Sequence, residues 1–304
     1  MTSPSHLVSS SRSATLAGIG LMLAGVLLFS INDAVGKWLL VTYSVGQLLL
    51  LRSAATLLLL SPLIWRAGMA AFASAPRPGL QLLRIVLSTF EVAMFFWAVS
   101  YMPLADAITF YLAGPIYVTA LSVLILRERV GWRRWTAVLV GFAGVVIALR
   151  PSAATLTLPA LIALGGSVFY ALLMVITRLV KETDDIVLMS GQFLGTFIFG
   201  ALAAPLSWVT PTAHDMIFLS GFGAISIVAL FCINRSLKLA PASAVVPYQY
   251  TLILWGVLFG WRFFGEVPDV FTLAGAAIIV AAGLYIFWRE QIVGRREPAF
   301  AEPP

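Results

Sequence analysis

Apolar runs long enough to cross a lipid bilayer follow one another along almost the whole chain. They fall at roughly 14–38, 44–65, 80–100, 104–126, 133–149, 157–177, 186–207, 216–234, 242–264 and 270–288. A hydrocarbon core of about 30 Å takes about 20 apolar residues as a helix, so ten such helices use about two thirds of the chain and leave no room for a soluble domain. Charge agrees. Only 11% of the 304 residues are charged and 61% are hydrophobic, whereas a soluble domain carries about a quarter charged residues. The mean hydropathy is +0.98. The runs do not alternate apolar with polar as β-barrel strands do. The expected structure is therefore an all-α integral membrane protein. The first run continues from Ala14 to Trp38 without a small-residue cleavage pattern, which reads as a transmembrane helix rather than a signal peptide.

The formal net charge of +6 fits basic residues gathered on the cytoplasmic side better than a nucleic-acid partner. With the N-terminus inside and ten spans, that side takes Arg12, then Arg66, Arg77 and Arg84, then Arg127, Arg129, Arg133 and Arg134. Arg178, Lys181, Arg235, Lys238, Arg289, Arg295 and Arg296 follow. Only Lys37, Arg150 and Arg262 fall outside, and Arg52 lies within a span. The expected location is the inner (plasma) membrane, multi-pass, with both termini cytoplasmic. Cys232 is the single cysteine, so an internal disulfide and a thiolate metal cluster are both excluded.

The two halves echo one another. A-V-S-Y-M-P-L-A-D-A from Ala98 matches S-L-K-L-A-P-A-S-A-V from Ser236. Pro103 falls on Pro241, Ala105 on Ser243, Glu128 on Glu266 and, with one residue inserted, Gly144 on Gly283. Five spans per half is an odd number, so the second half must be inserted upside down, the arrangement of alternating-access carriers. The expected organisation is a disordered cytoplasmic tail over 1–13, a first five-helix repeat over 14–151, an inverted second repeat over 152–288 and a cytoplasmic tail over 289–304.

Three stretches of the first half carry a resemblance. They are Y-M-P-L-A-D-A-I-T-F-Y-L-A-G-P-I-Y-V, L-R-E-R-V-G-W-R-R-W and V-G-F-A-G-V-V-I-A-L-R-P, within 101–151. They resemble the drug/metabolite transporter superfamily in its EamA-type ten-helix branch, and the echo at 239–283 resembles that family's second repeat. The resemblance implies a carrier of a small metabolite. F-S-I-N-D-A-V-G-K-W-L with L-L-L-R-S resembles more nearly the members that take up metabolites, including S-adenosylmethionine and riboflavin carriers.

Ionisable groups inside a span cost roughly 2.5–3.5 kcal/mol each on insertion scales, so they point to function. Glu91 lies near the middle of the third run and shares a helix face with Arg84, Ser88 and Phe95. It is a candidate for a cationic substrate group or a coupling proton, and equally a structural partner of Arg52. Asn32 and Asp33 lie in the outer third of the first run. Asp33 and Lys37 have the spacing of a helical ion pair, the favoured reading, with Asn32 and Asp33 lining a cavity as the sharper one. Asp106 reads as a helix-start or interface residue. The fourth and ninth runs each hold a proline, Pro115 and Pro247, which bends a span and frees a carbonyl. Beside these bends Tyr111, Tyr117, Tyr248, Gln249 and Trp255 are candidates for a substrate that is partly apolar and partly polar, although each aromatic taken singly also suits packing.

Gly191 with Gly195 and Gly256 with Gly260 suit close helix packing. His6 and His214 are the only histidines, and no metalloprotease, phosphate-loop or serine-hydrolase motif occurs. No catalytic residue, metal ligand or cofactor is expected. The leading reading is a secondary transporter moving an amino-acid-like or amphipathic metabolite across the bilayer by alternating access, as a monomer or homodimer. A membrane-embedded lipid-carrier flippase component and a non-transporting membrane scaffold are the alternatives.

Overall fold

The computed structural model describes residues 4–125, 132–149, 157–180, 182–239 and 245–294. Glu128, Arg150, Pro241 and Ser243, which the repeat and charge readings use, lie outside the described residues. Everything described is helix or short connection, with no strand among the described residues.

The first half comprises α1 (Pro4–Leu39), α2 (Val45–Ala73), α3 (Pro78–Val99), α4 (Leu104–Leu112), α5 (Gly114–Ile125) and α6 (Trp132–Leu149). The second comprises α7 (Leu158–Leu179), α8 (Asp185–Ala203), α9 (Ala213–Leu239), a 3-10 segment (Val246–Thr251), α10 (Leu252–Phe264) and α11 (Val270–Gly294). Six segments are long and apolar enough to cross a membrane: Ala14–Leu39, Val45–Ala73, Pro78–Val99, Leu158–Thr177, Asp185–Ser207 and Ala213–Ile233. Shorter apolar helices cover Leu104–Val118, Trp135–Ala148 and Val270–Tyr285. Two helices outlast their apolar runs. α1 starts at Pro4, within the segment expected to be a disordered tail, and α11 continues past the last apolar run to Gly294. Backbone hydrogen bonding carries a helix past the residues that need lipid.

The breaks have sequence causes. Gly68 adopts φ 73° and interrupts α2 just after the apolar part of that run ends, a conformation that glycine takes without steric cost. Ser44 caps α2 through its hydroxyl, which accepts from the Gln47 amide at 3.3 Å. Asp184 caps α8, accepting from the Ile186 amide at 2.7 Å. The fourth run divides at Ala113, one turn into which the missing amide of Pro115 removes a helical donor. In the ninth run, Val246–Thr251 is wound as a tight 3-10 helix before α10 begins.

The most extensive pairings join the two halves. α1 packs on α9, α2 on α8, α3 on α7, and α6 on α11, while α4 packs on α10. Small residues let these axes approach. A Cβ at Gly275 would stand 2.6 Å from the Gly144 carbonyl oxygen, at the α6–α11 crossing. Gly191 and Gly195 receive Ile85, and Gly195 also Thr89, so this glycine pair serves packing within one chain. Leu58, Leu82, Leu139, Leu161, Ile198 and Leu254 point outward and exposed. That much apolar surface belongs against lipid.

Polar contacts mark the two ends of the bundle. At one end the Tyr43 hydroxyl donates to Asp215 at 2.6 Å, a bond that raises the phenol above its usual pKa, and Gln47 bonds both backbone groups of Val209. At the other, Arg77 donates to the Leu179 carbonyl at 2.9 Å and Gln81 to Thr183 at 2.7 Å.

Backbone crowding at Gly275 leads to a direct test. Gly275→Val should destabilise the protein by about 1–3 kcal/mol, read as a lower melting temperature in detergent micelles. Gly20→Ala should stay within about 1 kcal/mol of the parent, because nothing lies within 4 Å of the added Cβ.

Candidate functional site

Three charged side chains from three helices meet inside the bundle. Arg52 of α2 is 8% exposed. Its guanidinium carbon lies 4.8 Å from the centre of the Phe222 ring and 5.7 Å from that of Phe96. Asp33 of α1 and Glu91 of α3 both act on it electrostatically. Neither carboxylate comes within 4.0 Å of its nitrogens, whereas Lys37 with Glu266 and His214 with Asp215 do pair. The Arg52 Nε is buried without a hydrogen-bond partner. Asp33 and Glu91 are only half-buried although both sit within membrane-length helices. Arg52, by contrast, is enclosed by rings.

Each side chain is held in place by small, local features. The Arg52 carbonyl accepts from Thr56 at 2.9 Å. The Phe96 and Phe222 rings that face Arg52 lie edge to face with centroids 5.7 Å apart, and Gly36 lacks the Cβ that would strike both. Asn32 is fully buried, and its Oδ1 accepts from the Ser226 hydroxyl of α9 at 2.8 Å. That bond ties α1 to α9 one residue from Asp33. Ser88 and Phe95 are buried along the α3 face that carries Glu91.

The two interrupted segments bring tyrosines to this centre. The Tyr111 hydroxyl, beside the break in the fourth run, donates to the Glu91 backbone carbonyl at 3.1 Å. Its ring stands edge-on to Phe95 at 5.1 Å and 6.2 Å from Tyr170 of α7. Tyr111 feels the charges of Glu91 and Asp33, and Tyr170 that of Glu91. Tyr250, in the 3-10 segment, is buried with its hydroxyl against Gly283, in the same core cluster as Phe95 and Phe96.

The structure thus brings together Asn32, Asp33, Arg52, Glu91 and Tyr111 from the sequence candidates. It sets others apart. Tyr117 lies farther along α5, with its hydroxyl buried near Ser167. Tyr248 and Trp255 pack on Met22, Val26 and Val245, more than one helical turn along α1 from Asn32. Trp255 also stacks on Phe259, with centroids 5.9 Å apart. Gln249 is half-buried in the 3-10 segment. Tyr170 and Tyr250 join the centre although the sequence reading did not select them. The proline beside Tyr250 was a usable signal, but nothing marks Tyr170 within its apolar run.

One pairing differs from expectation. Lys37 does not pair with Asp33 along the helix. Its ammonium meets Glu266 at 2.5 Å and donates to the Met102 carbonyl at 2.7 Å, with the Phe264 ring centre 5.3 Å away. Glu266 also accepts from the Leu104 amide at 3.0 Å. Asp33 instead feels the charge of Arg52, while Lys37 is taken up by Glu266 and the Met102 carbonyl. The Lys37–Glu266 bond therefore joins the end of α1, the turn before α4 and the loop after α10. Asp106, in the first turn of α4, faces the same group together with Asp269 and Thr272. No group of three or more metal-ligating side chains occurs among the described residues.

Comparison with known proteins matches this chain twice to the EamA-like transporter family, over residues 16–150 and 157–288. An S-adenosylmethionine uptake transporter of Rickettsia bellii is 27% identical over 279 residues, covering 90% of this chain and 94% of that protein. A riboflavin transporter of Vibrio cholerae is 29% identical over 287 residues, covering 93% and 96%. A pseudopaline exporter of Pseudomonas aeruginosa is 28% identical over 276 residues, covering 87% and 96%. A protein of known crystal structure shares the fold, with a TM-score of 0.62 at 18% identity over 94% of this chain and 99% of that one.

The Lys37–Glu266 bond has a measurable signature. Glu266→Gln leaves the enclosed Lys37 ammonium without its counter-charge and should destabilise the protein by about 3–5 kcal/mol. Adding Lys37→Met should restore part of that loss. Thermal unfolding of the two single variants and the double variant measures the coupling, and strictly additive losses would mean that the two groups do not act as a pair.

Proposed function

This chain belongs to the EamA-like transporter family, and on that premise we propose that it is a secondary carrier of an amino-acid-like or amphipathic small metabolite. The centre formed by Asp33, Arg52 and Glu91 is its substrate or coupling-ion site. The family and the names of the relatives point to transport rather than catalysis. The membrane-length helices make the chain a multi-pass membrane protein.

The observation that carries the assignment is the unfinished state of the centre. A structural ion pair buried in a membrane protein closes on itself, because each unmet charge or donor costs several kcal/mol there. Here the guanidinium and both carboxylates remain apart, and neither acid is fully buried. Such a centre suits a visitor that supplies the missing partners. The aromatic surround of Phe95, Tyr111 and Tyr170 suits the apolar part of a metabolite. The relatives named for S-adenosylmethionine and riboflavin are consistent with a site of mixed polarity.

Alternating access between two inverted five-helix repeats, 14–151 and 152–288, is the mechanism we infer. The two successive family matches support it. So does the pairing of helices. Exchanging each first-half span for its counterpart in the second half turns the α1–α9 contact into the α3–α7 contact, and maps the α2–α8, α6–α11 and α4–α10 contacts onto themselves. An axis through the centre of the bundle relates contacts in that way. With both termini cytoplasmic, as the basic residues favour, the Lys37–Glu266 bond closes the external end. A carrier of this kind is reversible, so the gradient of substrate or coupled proton sets the direction of net flux.

Flux of labelled S-adenosylmethionine, riboflavin and amino acids into proteoliposomes of the purified protein tests the function. We expect saturable uptake of at least one of them. Glu91→Gln should leave the melting temperature nearly unchanged while abolishing concentrative uptake or its pH dependence. Full activity with unchanged pH dependence in a well-folded Glu91→Gln protein would remove Glu91 from the mechanism, and no flux of any small metabolite would favour a scaffold.

A further inference from the structure

The chemistry that the centre lacks identifies the part of the substrate that enters it. Arg52 is 8% exposed, and its Nε has no partner. The guanidinium stands over the ring faces of Phe96 and Phe222, which offer it no hydrogen-bond acceptor of the ordinary kind. A guanidinium presents five donors in a planar fork that matches a carboxylate in two-point fashion. The opposite need exists a short distance away. Asp33 and Glu91 are acceptors when ionised, act electrostatically on Arg52 without touching it, and are half-buried. A donor fork that lacks an oxyanion thus stands across from two carboxylates that lack a cation.

A purely anionic ligand would answer Arg52 and be repelled by both acids. A simple cation would answer the acids and leave the guanidinium bare. A neutral ligand could hydrogen-bond to all three groups but would bring no counter-charge to any of them. One arrangement brings a counter-charge to each, namely a carboxylate and an ammonium held on one carbon of a small molecule. Such a zwitterion is neutral overall, which also lowers the cost of bringing it into a region of low dielectric. Around it, Phe95, Tyr111 and Tyr170 offer edges and faces for whatever the head group carries.

We propose that this centre binds the α-amino-carboxylate head of the substrate, with the carboxylate on the Arg52 fork and the ammonium between Glu91 and Asp33. The assignment rests on the transport reading above for the location of the site, and it narrows the substrate class to compounds with an amino-acid head. Among the activities named for the relatives, it favours the S-adenosylmethionine class over riboflavin. Glu91 and Asp33 are not equivalent in it. Glu91 shares its backbone carbonyl with the Tyr111 hydroxyl and so is tied to the break in the fourth run, whereas Asp33 follows Asn32, which is tied to α9. Closing both acids on one ammonium would draw α1 and α3 together around Arg52.

Ligand pairs that differ in a single group test this on the wild-type protein in lipid nanodiscs. The probes are S-adenosylmethionine, the twenty standard amino acids, riboflavin and, for any amino-acid-headed probe that binds, the amine that lacks its carboxylate. Calorimetry should show at least one amino-acid-headed probe binding, with at least a tenfold loss of affinity for its decarboxylated partner. Arg52→Lys should shrink that ratio several-fold by weakening the parent acid and sparing the amine. Equal affinity of acid and amine overturns the proposal, as does binding by riboflavin alone or by no amino-acid-headed probe. Flux in proteoliposomes, measured in parallel, separates the two readings. Riboflavin flux without amino-acid binding would keep the carrier and discard the head-group site. Zwitterion binding without flux would keep the site and discard the carrier. The ligand-pair measurement needs no variant, so poor folding of Arg52→Lys would leave it decisive.

Discussion

Hydrocarbon offers a charge nothing to bond to, and the organisation of this protein follows from how it keeps Arg52 inside the membrane. The guanidinium never meets lipid. Phe96 of α3 and Phe222 of α9 present their ring faces to it, an interaction that strengthens as water is excluded. Those rings require Gly36 on α1, and the carboxylates that act on the charge from a distance come from α1 and α3. Four helices from both halves therefore depend on one side chain. Asn32 and Ser226 reinforce the same crossing with a buried hydrogen bond.

The broken helices serve the same centre. A continuous helix has no free backbone groups at mid-bilayer, and irregular backbone persists there only where protein or a cavity covers it. The break at Ala113 and the 3-10 winding of Val246–Thr251 fall in the two segments that deliver Tyr111 and Tyr250. Tyr111 then returns a hydroxyl to the Glu91 backbone. Away from the centre, contacts are of two kinds. Glycines such as Gly195 and Gly275 allow close packing with little polar content, and polar bonds are gathered at the ends, where Lys37, Glu266, Met102 and Leu104 form one closure.

Much of this was legible in the sequence because lipid imposes simple rules. Apolar length and the low charge content point to a helical membrane protein, and the cost of intramembrane charge singles out Glu91, Arg52 and Asp33 as residues that need a reason. The misassigned partner of Lys37 shows where local rules stop. Spacing along α1 favours Asp33, but the competing groups, Arg52 for Asp33 and Glu266 for Lys37, come from helices whose approach no local pattern encodes. Tyr170 was invisible for a related reason, since an aromatic in an apolar run looks the same whether it meets lipid, a helix or a cavity. Tyr248 and Trp255 carried the same ambiguity and pack instead around Met22 and Val26.

Alternating access, as proposed above, requires that the Asp33–Arg52–Glu91 centre communicate with water from one face of the membrane at a time. Cys232 is the only native cysteine, so Cys232→Ser gives a background in which Tyr111→Cys reports on the centre alone. Labelling by a membrane-impermeant maleimide, applied separately from each side of oriented vesicles, measures access. With the Lys37–Glu266 bond intact, labelling should come mainly from the cytoplasmic face. Adding Glu266→Gln together with Lys37→Met, which removes the bond without stranding a charge, should raise labelling from the external face several-fold and lower it from the cytoplasmic one. Labelling that never exceeds background from either face, or that rises from both faces together, would contradict the account.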